Sequence, residues 1–395
     1  MATRTEPDLE TPPPADDGPV DALIVGAGAI GLACAWRAAQ RGLRVRVVER
    51  DRPGAGASGV AAGMLAPVGE ATWGEEELLQ LALSSHAAWP RFAAELAAAS
   101  DHESGYLELG ALHVALDRDE AAELRRRYEL MASLDLSAQW LRPRAAREVE
   151  PGVSPSCAAA VHAPHESAID PRELVAALRV AAERAGVEVR EGADVTEALR
   201  DGHALAGVRT ADGVEHRAAR TVLAAGAWSG SAGWLPREAR PPVRPVKGQI
   251  ITLRGPAGAP VCDRIVVSER IYIVPRSDGR LIVGATVEEM GFDTRVTAGG
   301  VHELLREAYR ALPDVAELEL GEAIAGLRPG TPDNAPLIGA GPVDGLVYAT
   351  GHYRNGILLA PVTADAVAAM LAGQEPEAEI AAFSPERFAP EVMTP

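Results

Sequence analysis

Three glycines in the run VGAGAIG, at Gly26, Gly28 and Gly31, have the spacing of a turn that receives a pyrophosphate. The first allows the tight turn, the second lets backbone approach the phosphates, and the third permits close packing of the helix that follows. That helix would aim its free N–H groups and positive dipole end at the phosphates. Glu49 stands 18 residues after Gly31, where a carboxylate can accept from both ribose hydroxyls and would repel a 2′-phosphate. The flanking Ile30 and Arg50 fall in the same footprint.

The elements around these residues supply the context that the glycine pattern needs. Val20–Val25 is an apolar run, Ile30–Gln40 is Ala-rich and stopped by Gly42, and Val45–Val48 reads as a second strand. Strand, glycine turn, helix and strand make one βαβ unit of about 30 residues. Farther on, helical periodicity covers Glu75–Leu96, Arg118–Leu134, Arg172–Gly186 and Val301–Ala311. Strand patterns cover Leu107–Leu116, Val187–Arg190, a hairpin about Asp201 and Gly202, and Thr221–Ala225. Alternation from Val243 to Val287 predicts an antiparallel sheet. Strand Leu346–Ala349 and helix Ile357–Leu371 close the pattern.

NAD and FAD share the glycine fingerprint, and three further segments favour FAD. Ala57, Ser58, Ala61, Ala62, Gly63 and Met64 are small or slender residues that would let a loop lie against a flat ring; a flexible loop is the plainer alternative. TVLAAGAW brings Ala225, Gly226 and Trp228 to the end of a strand, and Val195 precedes it as a further contact. In ATGHYRNGILLAP, His352, Arg354, Asn355, Gly356, Ile357 and Leu358 open the last helix. A helix N-terminus aimed at the flavin N1 and C2 carbonyl would stabilise the anionic reduced ring. Nucleotide-facing segments scattered along a chain suit an extended FAD better than NAD.

Composition narrows the partners. The 395 residues can bury a large core. With 38 basic and 56 acidic residues, a formal charge of −18 disfavours nucleic acid and anionic membrane surfaces. Cys34, Cys157 and Cys262 are far apart, which excludes a CxxC centre and gives no expectation of a metal site. Sparse cysteine and the lack of a signal-like or membrane-length apolar run fit the cytoplasm. Residues 1–19, rich in proline and acid, read as a disordered tail.

Six elements carry a resemblance: VGAGAIG, SGVAAGMLAP (Ser58–Pro67), RPVKGQI (Arg244–Ile250), YIVPR (Tyr272–Arg276), GLRPGTPDNAPLIG (Gly326–Gly339) and GHYRNGILLAP (Gly351–Pro361). In this order they resemble the D-amino-acid oxidase superfamily and, within it, the glycine oxidases, from about Val20 to Leu371. The resemblance implies an α/β fold, α+β overall. A Rossmann-type FAD-binding domain would be built from 20–90, 158–240 and 326–385, and a substrate domain with an antiparallel sheet from 91–157 and 241–325.

It also implies site roles. Arg328 would clamp a substrate carboxylate, which a planar guanidinium suits; a buried structural arginine is the alternative. Tyr272 would donate to the same carboxylate, although a tyrosine in a strand can equally be core. Arg354 would reach the substrate or cap its loop, and Glu70 would lie near the pocket. Lys247, the chain's single lysine, would serve as a compact ammonium or as a salt bridge linking domains. His352 would be structural, because hydride transfer from a neutral amine to flavin N5 requires no base. Arg270 replaces a histidine of the family pattern and leaves the outer pocket open.

No cysteine lies in the C-terminal flavin motifs, so the FAD is expected to be noncovalent. The implied activity is oxidation of glycine, sarcosine or D-alanine, with O₂ returning as H₂O₂. The implied partners are thiazole synthase in thiamin formation, through the imine product, and a second copy of the chain in a homotetramer. A D-amino-acid dehydrogenase, a sarcosine oxidase-like enzyme, a tRNA-modifying flavin domain and a noncatalytic flavin binder are the alternatives. The first requires membrane contact, the third a basic patch and the last the loss of Arg328 and Tyr272.

Overall fold

The computed structural model describes residues 18–256 and 260–388, so residues 1–17 of the expected tail lie outside the described residues. Strand Val20–Val25 is buried along nearly its whole length and pairs in parallel with Val45–Val48 on one side and Glu215–Leu223 on the other. A strand apolar on both faces requires cover on both, which is why short connections here carry helices. The sheet extends in parallel to Glu188–Arg190 at one edge and to Leu346–Thr350 beyond Glu215–Leu223. Hairpin Val195–Asp201 with Ala204–Thr210 and the antiparallel strand Leu337–Ala340 complete eight strands.

Helix Ala29–Gln40 follows the glycine turn and packs with helices Glu76–Ser100, Pro171–Arg184 and Ala360–Leu371 in one apolar cluster. Its indole Trp36 meets Phe92 edge-on at 5.4 Å, and Phe92 meets Trp89 at 5.3 Å. Trp89 also uses its polar atom: Nε1 donates to the Leu358 carbonyl at 2.8 Å, and Ser85 Oγ donates to the same oxygen at 2.6 Å. Two buried donors therefore fix the turn that precedes the last helix.

The second sheet also has eight strands. Its order runs from Glu319–Gly330 through Arg244–Arg254, Arg280–Gly284, Tyr272–Pro275, Ile265–Val267, Ala111–Ala115 and Ala159–Ala163 to Gln139–Leu141. All pairs are antiparallel except Ile265–Val267 with Ala111–Ala115. Helix Ala298–Ala311 covers one face, burying Leu304, Ala308 and Ala311 against Ile251, Leu253 and Val283.

The boundary expected at 90/91 cuts helix Glu76–Ser100, whose Phe92 and Leu96 pack in the core of the first sheet, and four further expectations differ from the structure. Leu107–Leu116 is two strands, because Gly110 turns the chain at φ +67°; Leu107–Glu108 joins Ser167–Ala168 in a small separate sheet. Ala159–Ala163 pairs with Ala111–Ala115, so the start expected for the nucleotide segment at 158 cuts off a strand of the second sheet. The boundary expected at 326 falls inside strand Glu319–Gly330, which pairs with Arg244–Arg254 throughout. The last helix begins at Ala360, not Ile357, because Pro361 sits in its first turn and 356–359 form a turn closed by Leu359 N–H to the Asn355 carbonyl at 2.8 Å.

Across the junction, Asp170 caps helix Pro171–Arg184 by accepting from Arg172 N–H at 2.9 Å, and its other oxygen accepts from Arg280 at 2.8 Å. Arg276 stands 3.7 Å from the same oxygen and donates to the Ala62 carbonyl at 2.6 Å.

The Trp89 contacts give a stability test. Trp89→Phe keeps most of the ring and loses one buried donor, so it should cost about 1 kcal/mol, whereas Trp89→Ala should cost about 3–5 kcal/mol through the cavity it leaves. Urea unfolding midpoints of the two variants check the order; a Trp89→Phe midpoint equal to wild type would show that the hydrogen bond contributes nothing.

Candidate active site

The two sheets meet along a cleft of about 590 Å³. At one end the glycine turn sets the backbone. Gly26 has φ +110°, and a Cβ there would lie 2.5 Å from the Ala224 carbonyl oxygen. A Cβ on Gly31 would overlap the Gly26 carbonyl, so the helix approaches the strand as closely as main chain permits. Glu49 Oε2 accepts from Ala27 N–H at 2.8 Å and Oε1 from Asp51 N–H at 3.0 Å, fixing the carboxylate at the cleft edge. Ser58 Oγ accepts from Ala29 N–H at 3.0 Å, tying the small-residue loop to the first helical turn.

At the other end lie Arg328 and Tyr272, on strands of the second sheet. Val246 is paired opposite Arg328, which makes Gly248 its diagonal neighbour. A Cβ on Gly248 would stand 2.6 Å from the Arg328 Cζ, so the guanidinium lies flat over bare main chain. Arg328 Nη1 donates to the Thr286 carbonyl at 3.2 Å and the Lys247 carbonyl at 3.4 Å. The Tyr272 ring lies over Gly284 in the same way, 2.6 Å from where a Cβ would be. Burial pushes the Tyr272 hydroxyl up against the opposing pull of the Arg328 guanidinium, which hydrogen-bonds to it. The tyrosine therefore stays protonated and able to donate.

Between the ends, Trp228 stacks on Phe292 at 5.8 Å, and the Arg50 guanidinium lies 4.6 Å from the Trp228 ring centroid. His352 is buried, with Nε2 3.0 Å from Thr363 Oγ1, and burial pulls its imidazole down to about 3, so it is neutral. Its carbonyl accepts from Asn355 N–H at 2.9 Å, which shapes the loop. Arg354 is exposed at the rim, 5.4 Å over the Tyr353 ring.

Every residue assigned from the sequence to cofactor or substrate lines this one cleft, except Gly31, which packs beneath it. Glu70 lines it as well. Lys247 does not: it is fully buried, 3.3 Å from Glu288 Oε2, with its main chain bridged to Glu288. Both residues belong to the second sheet and its following loop, so the expected link between domains is instead an internal support for Arg328. Arg270 is exposed and stands off the cleft.

Gly248, Gly284, Phe292 and Thr294 escaped the sequence reading. The two glycines carry no signal until their partners on the neighbouring strands are known. Thr294 and Phe292 lie in the irregular segment 285–297 after the alternation ends.

Strand, glycine turn and helix with an acid fixed at the second strand's end define a dinucleotide-binding fold, and the second sheet sets Tyr272 and Arg328 into the cleft beside it. Residues 21–370 match the DAO family of FAD dependent oxidoreductases. The chain belongs to that family, and it is an FAD-dependent enzyme. It is 37% identical over 369 residues to the glycine oxidase of Geobacillus kaustophilus, covering 92% of this chain and 96% of that protein. It is also 37% identical over 375 residues to the bifunctional protein ThiO/ThiG of Synechocystis, covering 93% of this chain. The chain spans about half the length of the bifunctional relatives it matches (54% of this one). The crystal structure of glycine oxidase from Geobacillus kaustophilus superposes with a TM-score of 0.86 at 36% identity, covering 93% of this chain and 98% of that one. No helix among the described residues is long and apolar enough to cross a membrane.

The residues present fit FAD: glycine backbone for the pyrophosphate, Glu49 for a ribose, and a cradle of small residues whose crowded main chain already excludes side chains. Gly63 shows the crowding, since at φ +68° a Cβ there would meet Pro171 at 2.9 Å.

Gly248→Ala tests the far end of the cleft. It should leave the FAD content at wild-type level while weakening binding of a small carboxylate by about tenfold, since the guanidinium must move off its seat. Titrating acetate against the flavin absorption band measures this; unchanged acetate affinity with intact flavin would mean that Arg328 does not hold the carboxylate.

Proposed function

We propose that this enzyme oxidises glycine or another small amino acid, sarcosine and D-alanine among them. The observation that carries the reading is the Arg328–Tyr272 pair at the end of the cleft remote from the glycine turn, two converging donors in a half-buried chamber. A planar guanidinium with parallel N–H groups and a protonated phenol suit a carboxylate. Bound FAD supplies the hydride acceptor. The chain's own residues bind and orient: Arg328 and Tyr272 fix the carboxylate so that one α-hydrogen faces the ring. Lys247 holds Glu288, and Glu288 receives Thr286 Oγ1 at 2.6 Å, which steadies the Thr286 carbonyl that in turn seats Arg328.

Neutral His352 braces its loop through Thr363 and takes no part in proton transfer. The FAD is held noncovalently, which the cysteines support: all three are buried and none lines the cleft. Reoxidation by O₂ gives H₂O₂, and the imine hydrolyses or passes to thiazole synthesis for thiamin. Fusion of the homologous chain in proteins named ThiO/ThiG supports that last step.

Arg328→Ala should raise KM for glycine by about tenfold to a hundredfold, corresponding to a lost charge-assisted pair of roughly 1.5–3 kcal/mol, with FAD retained. Peroxide should form under air with glycine, sarcosine and D-alanine but not L-alanine, because fixing the carboxylate and amine leaves one direction for an α-substituent. No peroxide with any of the four, with an artificial quinone still reoxidising amine-reduced enzyme, would make the enzyme a dehydrogenase.

A further inference from the structure

The cleft wall carries one carboxylate that neither end explains. Glu70 lines the chamber near Tyr272, whose hydroxyl its charge helps to push up. Its Oε2 is buried and has no hydrogen-bond partner. A buried carboxylate oxygen without a donor is costly, and such a group in a cavity points to a ligand that supplies the donor. The other acids of the cleft, Glu49, Asp51 and Asp194, line its nucleotide end beside Val25 and Ala193.

The turn bearing Glu70 is held from behind at both polar atoms of the preceding residue. Gly69 N–H donates to Glu166 Oε1 at 2.5 Å, and the Gly69 carbonyl accepts from Arg127. No side chain fits at Gly69, because a Cβ would overlap the His113 imidazole, which itself stands 3.6 Å from Glu166 Oε2. Glu166 and His113 are almost fully buried. The Glu70 charge acts on Arg127 at a distance, but Glu70 Oε2 accepts no hydrogen bond, so the fixed turn presents a carboxylate oxygen that still lacks a donor. Main chain clamped this firmly fixes direction, the requirement for a recognition group.

We infer that Glu70 is the anchor for the substrate's amino group, which arrives as an ammonium and leaves its extra proton on the unpartnered Glu70 carboxylate before the hydride departs, and that the Arg127–Glu166–His113 cluster positions Glu70. The inference rests on the amino-acid reading of the cleft and names what distinguishes an amino acid from a simple carboxylate there. Arg328 and Tyr272 hold the negative end of a zwitterion and Glu70 the positive end. The chamber thereby favours small ligands that carry both charges.

The test uses the FAD-loaded enzyme, with glycine and with acetate, which lacks the ammonium. Glycine affinity is taken from the concentration dependence of anaerobic flavin bleaching, and acetate affinity from perturbation of the flavin band. Glu70→Gln should weaken glycine by about tenfold or more while acetate binds as well as before or tighter, because the variant removes a charge near the acetate site. Glu70→Asp, which keeps the charge, should recover most of the glycine affinity. Equal weakening of glycine and acetate, or unchanged glycine affinity in Glu70→Gln, would overturn the assignment while leaving the oxidase reading intact. A wild-type enzyme that neither bleaches with glycine nor responds to acetate would overturn both.

Discussion

Asp170 is the hinge point of the architecture. Its carboxylate, only 7% exposed, caps helix Pro171–Arg184 of the nucleotide half with one oxygen and receives Arg280 of the second sheet with the other. Burial alone would raise this carboxyl, but Arg276, the Arg172 amide and Arg280 overcome it and hold the group ionised. Arg276 in turn reaches the Ala62 carbonyl in the loop that floors the cleft. Losing one member of such a buried set leaves uncompensated charge, at a cost of roughly 3–5 kcal/mol. The relative placement of cradle and clamp therefore rests on a few charged atoms, while each half is secured by its own apolar core.

Burying those charges has its own cost. Burial pulls Arg276 down to about 10, opposed by Asp170, and two of its guanidinium nitrogens make no hydrogen bond. Replacement of such a network by apolar residues is often neutral or stabilising, so stability alone does not explain it. What the charges give is direction: a guanidinium fork fixes the angle between sheet and loop in a way that sliding aliphatic surfaces do not. A cleft that must set a C–H against a flat ring depends on that angle.

How much of this was legible in the sequence follows from the range of the interactions. The first βαβ unit could be read from Val20–Glu49 alone, because the strand, turn, helix and acid lie within about 30 residues and each needs the others. The last helix was read three residues early, since the apolar run Ile357–Leu359 has helical character but forms a turn whose carbonyl at Leu358 is claimed by Ser85 and Trp89 far upstream. Residues 159–163 fell into the nucleotide segment for the same reason: the partner strand, Ala111–Ala115, lies two helices and a strand upstream, and nothing local tells which sheet will take them. Gly284 reads from the sequence as a turn and Gly248 only as part of RPVKGQI; a glycine in a strand often marks a close approach, and only the structure shows that an arginine and a tyrosine lie on them. Lys247 drew attention as a lone lysine, and its meaning lies in Glu288, 41 residues away in sequence.

The protein's net charge of −18 adds a last constraint on what can enter the cleft. A strongly acidic surface lowers the local concentration of anions, so simple carboxylates and dicarboxylates approach against the field, whereas a zwitterion has no net charge and is neither attracted nor repelled at long range. Selection then falls to short range, where Arg328 and Tyr272 present donors at one wall and Glu70 an acceptor at another. Low dielectric inside the chamber strengthens each contact relative to water. The outer surface thus opposes the anions that the Arg328 guanidinium would attract, and under the proposed reading the inner wall distinguishes zwitterions from them.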